Sequence, residues 1–490
     1  MSLVWIAIRP SRASLESAMA GGVSAAARPG LTARRVRRRA SRDRDERRPP
    51  ARDLPRRARE PPCRPGTSRR EGHGVSSAGE KSGVAPRESR NPFDAPGFAR
   101  WWLASLFAGT GAGINGVALP LYLRDRVADD ARALAIAGAL VATTLPGVVL
   151  SLLGGAVADR VERRRILATT YTIAVFVSLV YVALAGLDVR AIWPIYPLAA
   201  LVGSAGAFTN PARSSMLPLL VTRAQLQNGV ILGTTLGFVA ALQLIGPTAG
   251  GVLADWRGLT AAFAAESALL AVAALLFSGI RTAPMSPAGT SIRGALREGL
   301  AYVRGQPELR GLLALSLVPG VFFVGPFAVT IPLVVPDVFH ASDKWVGILW
   351  GCFGGGVVAG SIALTLRPIA RRGLAVCATN VVGGAIMLAY GTSETLAFAA
   401  PVLVAWGVGA SVFMNYVVAL LQEHTEPRMI GRVMSMYSLA FFIAMPLGYA
   451  QAGALTSAFG PQATLLANGA AAAAIGLACL VGLRSVRSLP

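Results

Sequence analysis

The chain has 490 residues, of which 53% are apolar and 15% are charged. Soluble globular proteins carry about 25% charged residues, so this composition excludes an ordinary soluble enzyme. The formal net charge of +22 is unevenly distributed: residues 1–100 hold 23 basic and 10 acidic side chains, whereas the other 390 residues hold a net +9. The sequence therefore divides into a basic, polar tail and a very apolar body.

Residues 31–70 of the tail are dominated by arginine, proline and acidic residues. Such a segment buries too little apolar surface to offset the entropy lost on ordering, so residues 1–97 are predicted to be disordered and dispensable for the function of the body. The opening MSLVWIAI is too short for the apolar region of a signal peptide. Three roles stay open for the tail: none, contact with anionic lipid, or contact with nucleic acid. No aromatic residues interleave with the arginines, so no nucleic-acid partner is expected.

Uncharged stretches long enough to cross a bilayer recur from residue 101 onward, because a membrane helix needs about 20 apolar residues. They are 101–123, 133–158, 166–187, 191–212, 224–254, 258–280 (interrupted by Glu266), 311–336, 345–366, 373–393, 395–422 and 433–483. The last stretch must hold two spans, with Gly460-Pro461 as the break. The sequence thus predicts an all-α membrane protein with twelve transmembrane helices, numbered here as spans 1 to 12.

The basic residues between spans predict the orientation. The connections after the even-numbered spans, together with the C-terminus, hold 18 Lys and Arg residues, against 6 in the opposite connections. Because basic loops stay on the cytoplasmic side, both termini are predicted to be cytoplasmic in the cell inner (plasma) membrane. The longest connection contains an amphipathic helix that should lie at the headgroup level, with Leu296, Leu300 and Val303 on one face.

This connection divides the body into an N-terminal six-helix bundle (98–281), a linker (282–308) and a C-terminal six-helix bundle (309–485). The two bundles are related by an internal repeat. A shift of 202 residues superimposes Gly229 on Gly431, Gly246 on Gly448, Gly251 on Gly453 and Gly258 on Gly460. Paired repeats of this kind place a substrate site between the halves at the bilayer midplane.

The loop after span 2 carries a charged motif, GAVADRVERRR at 155–165. It resembles the G-x-x-x-D-R-x-G-R-R loop of the major facilitator superfamily, with Glu162 in place of a glycine. The matching residues are Gly155, Asp159, Arg160, Arg163 and Arg164. The resemblance implies that Asp159 docks on the start of span 11, near Gly431 and Arg432, when the cytoplasmic side closes. A carboxylate suits a helix N-terminus, although a charged topological anchor would explain the same residues.

A second motif lies in span 5. Its residues, Gly233, Gly246, Pro247, Gly250 and Gly251, resemble the antiporter motif of drug exporters in the same superfamily, with Leu242 in place of one glycine. Further segments around Asn210-Pro211 and Gly431-Arg432 are similar to the branch that contains siderophore exporters and macrolide-efflux-like proteins. Small residues let helix backbones approach, so the glycines form either ordinary packing contacts or a pliable seam between the halves.

The candidate cavity residues are polar or aromatic and lie within spans: Asn115, Asn210, Gln243, Phe323, Trp350, Asn415, Tyr416 and Tyr437. Because this set is neutral, the cavity should suit an uncharged, lipophilic or large amphipathic solute. Glu266 is the one acidic residue well inside a span. It is either the group that couples transport to protons or a locally paired carboxylate.

Cysteines and histidines show no metal-ligand or redox spacing, and no P-loop or nucleophile elbow is present. We therefore expect no metal, no cofactor and no enzyme activity. The resemblance implies a monomeric secondary transporter in contact with membrane lipid, coupled to protons, that exports a small organic or drug-like solute. An importer of such a solute on the same fold is the alternative.

Overall fold

The computed structural model describes residues 91–158, 161–280 and 292–490. Within these ranges all regular structure is helical. Spans 1 to 12 are Phe98–Arg124, Asp129–Ala158, Arg163–Gly186, Ile195–Leu220, Arg223–Arg257, Leu259–Ser278, Pro307–Asp337, Lys344–Leu366, Arg372–Gly391, Leu396–Glu423, Ile430–Phe459 and Pro461–Gly482. A short helix, Arg484–Arg487, follows span 12.

The predicted twelve-helix fold is confirmed. Eleven helices of the described chain are long and apolar enough to cross a membrane. The twelfth, span 4, has 26 residues, or about 39 Å at 1.5 Å per residue, although Asn210 and two internal prolines make it less apolar. The observed helices extend beyond the uncharged stretches because charged residues such as Arg100 and Glu308 occupy helix ends.

Three helical segments depart from α geometry. Ile231–Val239 and Ala241–Ile245 in span 5, and Pro319–Val324 in span 7, are wound as π-helix. Such widened turns occur mostly at functional sites and break the regular i to i−4 ladder. Span 5 therefore combines the most distorted backbone of the N-terminal half with the glycine and proline residues of the predicted antiporter motif.

The internal repeat is visible in the backbone. Gly258 ends span 5 with φ 83° and ψ 169°, and its repeat partner Gly460 ends span 11 with φ 84° and ψ 166°. Positive φ is accessible to glycine without steric penalty, so both turns require this residue. The predicted break at Gly460-Pro461 is thereby confirmed.

We call the end of the bundle that carries the connections 125–128, 187–194 and 338–343 the outer end, and the opposite end the inner end. The outer end is sealed. Span 1 is buried at every residue from Val117 to Arg124, and span 7 is buried from Gly325 to Val335. At the inner end, Asn210, Asn415 and Ser435 are exposed within their spans. The bundle is thus closed at its outer end and exposes these polar residues toward its inner end.

The linker helix, Ile292–Arg304, packs against the inner end of span 11. Glu298 forms an ion pair with Arg432, and the Tyr302 hydroxyl accepts a hydrogen bond of 3.1 Å from the backbone N–H of Glu426. Val303 is buried and Leu300 is partly exposed. The predicted amphipathic helix therefore exists, and its polar face also contacts protein.

Packing of the N-terminal bundle begins before residue 98. A 3₁₀ turn at Pro92–Asp94 precedes span 1. Phe93 contacts the rings of Phe98 and Trp102, with centroid separations of 5.1 and 5.8 Å. Gln225 donates a 3.0 Å hydrogen bond to the Asn91 carbonyl. The structure therefore places residues 91–97 with the bundle rather than with the tail.

We predict that removal of residues 1–90 preserves membrane insertion and efflux, because those residues carry no predicted span. Removal of residues 1–97 should lower stability, since it also deletes the Phe93 ring contacts and the hydrogen bond to Gln225. Thermal unfolding and size-exclusion profiles of the two purified truncations provide the measurement. Equal stability of the two truncations would contradict this boundary.

Candidate functional site

The two halves meet through spans 5 and 8 at the outer end. A Cβ atom on Gly251 would lie 2.8 Å from the Gly347 Cα, and one on Gly347 would collide with the Pro247 carbonyl. Thr248 reaches the Gly347 carbonyl at 3.5 Å. Deeper in the membrane, Gly354 lies against the backbone of Gln243. The antiporter-motif glycine that forms the seam between the halves is therefore Gly251.

The other motif glycines pack within the N-terminal half. Gly246 lies against the Thr110 carbonyl and Gly113 of span 1, and a Cβ on Gly250 would stand 3.0 Å from the Ile114 Cα. Gly233 lies beneath the Trp101 ring. The motif thus has two faces, of which one holds span 5 to span 1 and the other holds it to span 8.

A buried ion pair closes the outer end beside this seam. Arg124, the last residue of span 1, donates from Nη1 and Nη2 to the two carboxylate oxygens of Asp343 at 2.8 and 3.1 Å. Asp343 immediately precedes span 8 in the other half. Arg124 is only 9% exposed and also binds Asp125 at 2.8 Å. Paired, two-point contacts of this geometry are the strongest class of side-chain hydrogen bond.

A second polar contact joins the halves at the same level. Ser457 near the outer end of span 11 donates a 2.9 Å hydrogen bond to the Asp130 carbonyl of span 2, and Gly453 packs on Ala137. We call the ion pair of Arg124 with Asp343 the outer latch. It was not predicted from the sequence, because both residues look like ordinary charges at helix ends. Their pairing becomes visible only when the two halves are placed side by side.

Glu266 lies inside the N-terminal bundle, between spans 1, 3 and 6, and is 4% exposed. The Asn115 amide donates a 3.1 Å hydrogen bond to its Oε2, and the Ser178 hydroxyl also interacts with the carboxylate. Ser267 donates to Ser178 at 2.8 Å. The Tyr181 ring lies within electrostatic range. The carboxylate is therefore locally hydrogen-bonded and does not extend to a headgroup layer.

One turn of span 1 connects this carboxylate to the seam. Asn115 contacts Glu266 on one side, whereas Gly113 and Ile114 contact span 5 at Gly246 and Gly250 on the other. Val117, where the fully buried part of span 1 begins, lies two residues further along. A change at the carboxylate can thus reach the backbone contacts that close the outer end.

The predicted inner gate motif is only partly described. Asp159 and Arg160 lie outside the described residues, and of Gly155 only the helical backbone is described. Glu162, which replaces the motif glycine, forms ion pairs with Arg164 at 3.0 Å and Arg165 at 3.1 Å. Arg163 is buried. Arg432 lies at the start of span 11, where Asp159 is predicted to dock. In this state it is paired with Glu298 of the linker helix.

The predicted cavity residues occupy different environments. Asn210 and Asn415 are exposed in the inner half, and the Asn415 amide donates to the Ser361 hydroxyl at 3.2 Å. Tyr437 is half-buried on span 11. Gln243 lies at the seam between the halves with its side-chain oxygen buried. Of this group, the two asparagines are placed as a cavity lining requires.

Three other predicted cavity residues, Phe323, Trp350 and Tyr416, make packing contacts in this state. Asn115 does the same through its hydrogen bond to Glu266. Phe323 points toward Gly383 inside the C-terminal half and stands 5.9 Å from the Trp406 ring centroid. The Trp350 ring packs on Phe327 at 4.7 Å. Tyr416 is buried, and its hydroxyl accepts a 2.7 Å hydrogen bond from the backbone N–H of Ile369. A residue type alone does not show which face of a helix it occupies.

We predict that Arg124→Met or Asp343→Asn opens the outer end. A hydrogen bond to a charged group contributes about 1.5–3 kcal/mol, and about 1.4 kcal/mol corresponds to tenfold in an equilibrium constant. Outward accessibility should therefore rise by about tenfold or more. A cysteine introduced at the exposed Gly116, in a cysteine-free background, reports this as faster labelling by an impermeant maleimide added outside intact cells.

Arg126→Met provides the matched control, since Arg126 binds the exposed Asp188 within the same half at 2.9 Å. Its labelling rate should stay at the starting value. If Arg124→Met and Arg126→Met label equally, the ion pair between the halves does not hold the outer end closed.

Comparison with known proteins places this architecture in a family. The family model described as transmembrane secretion effector matches residues 88–488. The multidrug efflux pump Tap of Mycobacterium tuberculosis is 29% identical over 384 residues, covering 74% of this chain and 88% of that protein. Macrolide efflux protein A of Streptococcus pyogenes is 24% identical over 348 residues, covering 68% and 84%.

Solved structures confirm the fold. The nucleoside transporter NupG superposes with a TM-score of 0.61 at 14% identity, covering 79% of this chain and 99% of that one. A bacterial homolog of the human lysosomal transporter Spinster, in an inward-facing conformation, gives 0.57 at 15% identity, covering 80% and 96%. The chain therefore belongs to the transmembrane secretion effector family of the major facilitator superfamily of membrane transporters.

Proposed function

We propose that this protein is a monomeric exporter of drug-like solutes that works by alternating access in the cell inner membrane, with both termini in the cytoplasm. The observation that carries the proposal is similarity along 88% of the length of the efflux pump Tap. The antiporter motif in span 5 supports export over import. The 18-to-6 excess of basic residues on the inner connections supports the orientation.

The described state suits the loading step of an exporter. The outer end is closed by the seam at Gly251 and Gly347 and by the ion pair of Arg124 with Asp343. Asn210 and Asn415 face accessible space from the inner side. A solute from the cytoplasm or the inner leaflet would enter there, and release outside requires the outer contacts to separate while the inner ends close.

Accumulation assays test export directly. Expression in a bacterial host whose own efflux pumps are deleted should lower the steady-state accumulation of ethidium, Hoechst 33342 or a macrolide antibiotic. A transporter of this class discriminates mainly by apolar contact and a few polar groups, so several of these compounds should respond. Unchanged accumulation of the whole panel would contradict the proposal, and raised accumulation would establish import instead.

We further propose that Glu266 couples export to the proton gradient. A carboxyl group in the apolar interior of a membrane protein can alternate between charged and neutral forms, and such groups mark proton pathways. Glu266 is the one acidic side chain well inside a described span. Its neighbour Asn115 belongs to the helix turn that supports the seam, so protonation would weaken one hydrogen bond at that turn.

For the inner gate, we propose that Asp159 docks on the start of span 11 in the outward-open state. Arg432 is held by Glu298 in the described state. Closure would therefore exchange one acidic partner of Arg432 for another, and the linker helix would stabilise the inward-open form. An exchange of partners of similar charge leaves the two states close in free energy, as alternating access requires.

We predict that Glu266→Gln abolishes transport driven by a pH gradient. Solute exchange measured in the absence of a gradient should be retained. Glutamine keeps the shape and accepts the Asn115 hydrogen bond, but it cannot take up a proton. Proteoliposomes loaded with ethidium provide both measurements. Glu394→Gln, at an exposed outer position, is the control and should behave as the unmodified protein.

A Glu266→Gln protein that still transports against a concentration gradient would contradict coupling at this residue. The carboxylate would then be a structural group of the N-terminal bundle. Loss of both driven transport and exchange, with a normal thermal unfolding profile, would likewise remove proton coupling as its specific role.

A further inference from the structure

The N-terminal bundle contains a further buried charged side chain, Arg213 of span 4, which is 8% exposed. Its guanidinium lies over the Phe238 ring at 3.6 Å from the centroid, and its Nε has no hydrogen-bond partner. Burial of a charge without a hydrogen-bonded partner is unfavourable, and each such group in a folded protein calls for an explanation. Cation–π contact with the Phe238 ring offsets part of the free-energy cost of burying the charge. The ring has no oxygen that could accept a hydrogen bond from the guanidinium.

No acidic side chain of the described chain pairs with Arg213. Among the described residues, the titratable group within electrostatic range is the Tyr171 hydroxyl of span 3, and the Tyr171 ring stacks on Phe277 at 5.3 Å. Phe238 closes the side toward span 5. By contrast, the arginines at the membrane surface of this half, such as Arg124 and Arg164, each bind a carboxylate. Arg213 is thus a fixed cation in an aromatic pocket with unused donors.

Arg213 lies close to an exposed part of span 4. An apolar groove between spans 3 and 4 is lined by Leu201, Ala205 and Phe208, which marks one face of span 4. At 3.6 residues per turn, Asn210 falls on about the opposite face, and it is exposed. Arg213 lies less than one turn further toward the inner end, beside that exposed face.

We propose that Arg213 binds an anionic group, a carboxylate or a phosphate, of the solute that the protein exports. A guanidinium presents a planar fork of donors that matches such groups, and cation–π contact with Phe238 holds the fork in place. Neutral residues elsewhere in the cavity then receive the apolar part of the molecule. This inference rests on the proposed export function and adds amphipathic organic anions and zwitterions to the solutes that the protein exports.

The test uses the full chain in phosphatidylcholine nanodiscs and two probes with the same fluorophore, dansylglycine and the neutral dansylglycinamide. Binding is measured by energy transfer from tryptophan, with empty nanodiscs subtracted. Dansylglycine should bind about tenfold to hundredfold more tightly than the amide, as expected for a charged hydrogen bond. Arg213→Met should equalise the two affinities and Arg213→Lys should retain part of the difference. Arg223→Met, at an exposed position of the same half, should change neither.

Equal affinities in the unmodified protein, or an unchanged preference in Arg213→Met, would overturn the proposal. Repeating the titration with phosphatidylglycerol in the nanodiscs separates the two sources of an anion. If this lipid removes the preference, the site binds a lipid headgroup rather than a solute, which also overturns the proposal. Accumulation of ethidium, Hoechst 33342 and a macrolide is measured independently of these results, and none of these compounds carries an anionic group, so failure here leaves the export function standing.

Discussion

The outer seal depends on direct backbone contact between spans 5 and 8, which only residues without side chains permit. A Cβ at Gly251 would stand 2.8 Å from the Gly347 Cα, so almost any substitution would hold the halves apart. The ion pair of Arg124 with Asp343 depends on this contact, because a two-point bond of 2.8 and 3.1 Å forms only when the helix ends are fixed at that separation. The glycine contact thus fixes the relative position of the two helix ends, and the ion pair adds a directional attraction between them. Once the seam opens, water can solvate the two charges instead.

Span 1 contacts both the buried Glu266 and the helix that forms that seam. Its close approach to span 5 at Gly246 and Gly250 leaves little room for independent sliding, since closely packed backbones move as a unit. Asn115 lies on the same turn and bonds to Glu266. The π-helical segments of span 5 lie on the inner side of these contacts and can absorb a local change of winding. A change in one hydrogen bond therefore has a mechanical route to the outer end.

The sequence was sufficient for the twelve spans, the break at Gly460 and the repeat, because length, charge and glycine spacing act locally along the chain. The sequence marked the glycines of span 5 as packing positions, but it did not show their partners: Gly251 faces the other half whereas Gly250 faces span 1. The outer latch could not be predicted, since Arg124 and Asp343 are separated by 219 positions. Phe323 and Tyr416 show the same limit, because aromatic residues of a membrane helix fit a cavity and a bundle interior equally well.

The two halves share a backbone repeat but differ in buried chemistry. The C-terminal bundle is held by neutral contacts: Gln451 bonds to Asn468 at 2.8 Å, and Thr456 bonds to Thr464 at 3.0 Å. The N-terminal bundle instead contains Glu266 and Arg213, at different depths and without an ion pair between them. Neutral amide and hydroxyl networks keep their hydrogen bonds whatever the protonation state, so they suit a fixed framework. The groups proposed to respond to a proton and to an anion, Glu266 and Arg213, thus both lie in the N-terminal half, together with the predicted antiporter motif.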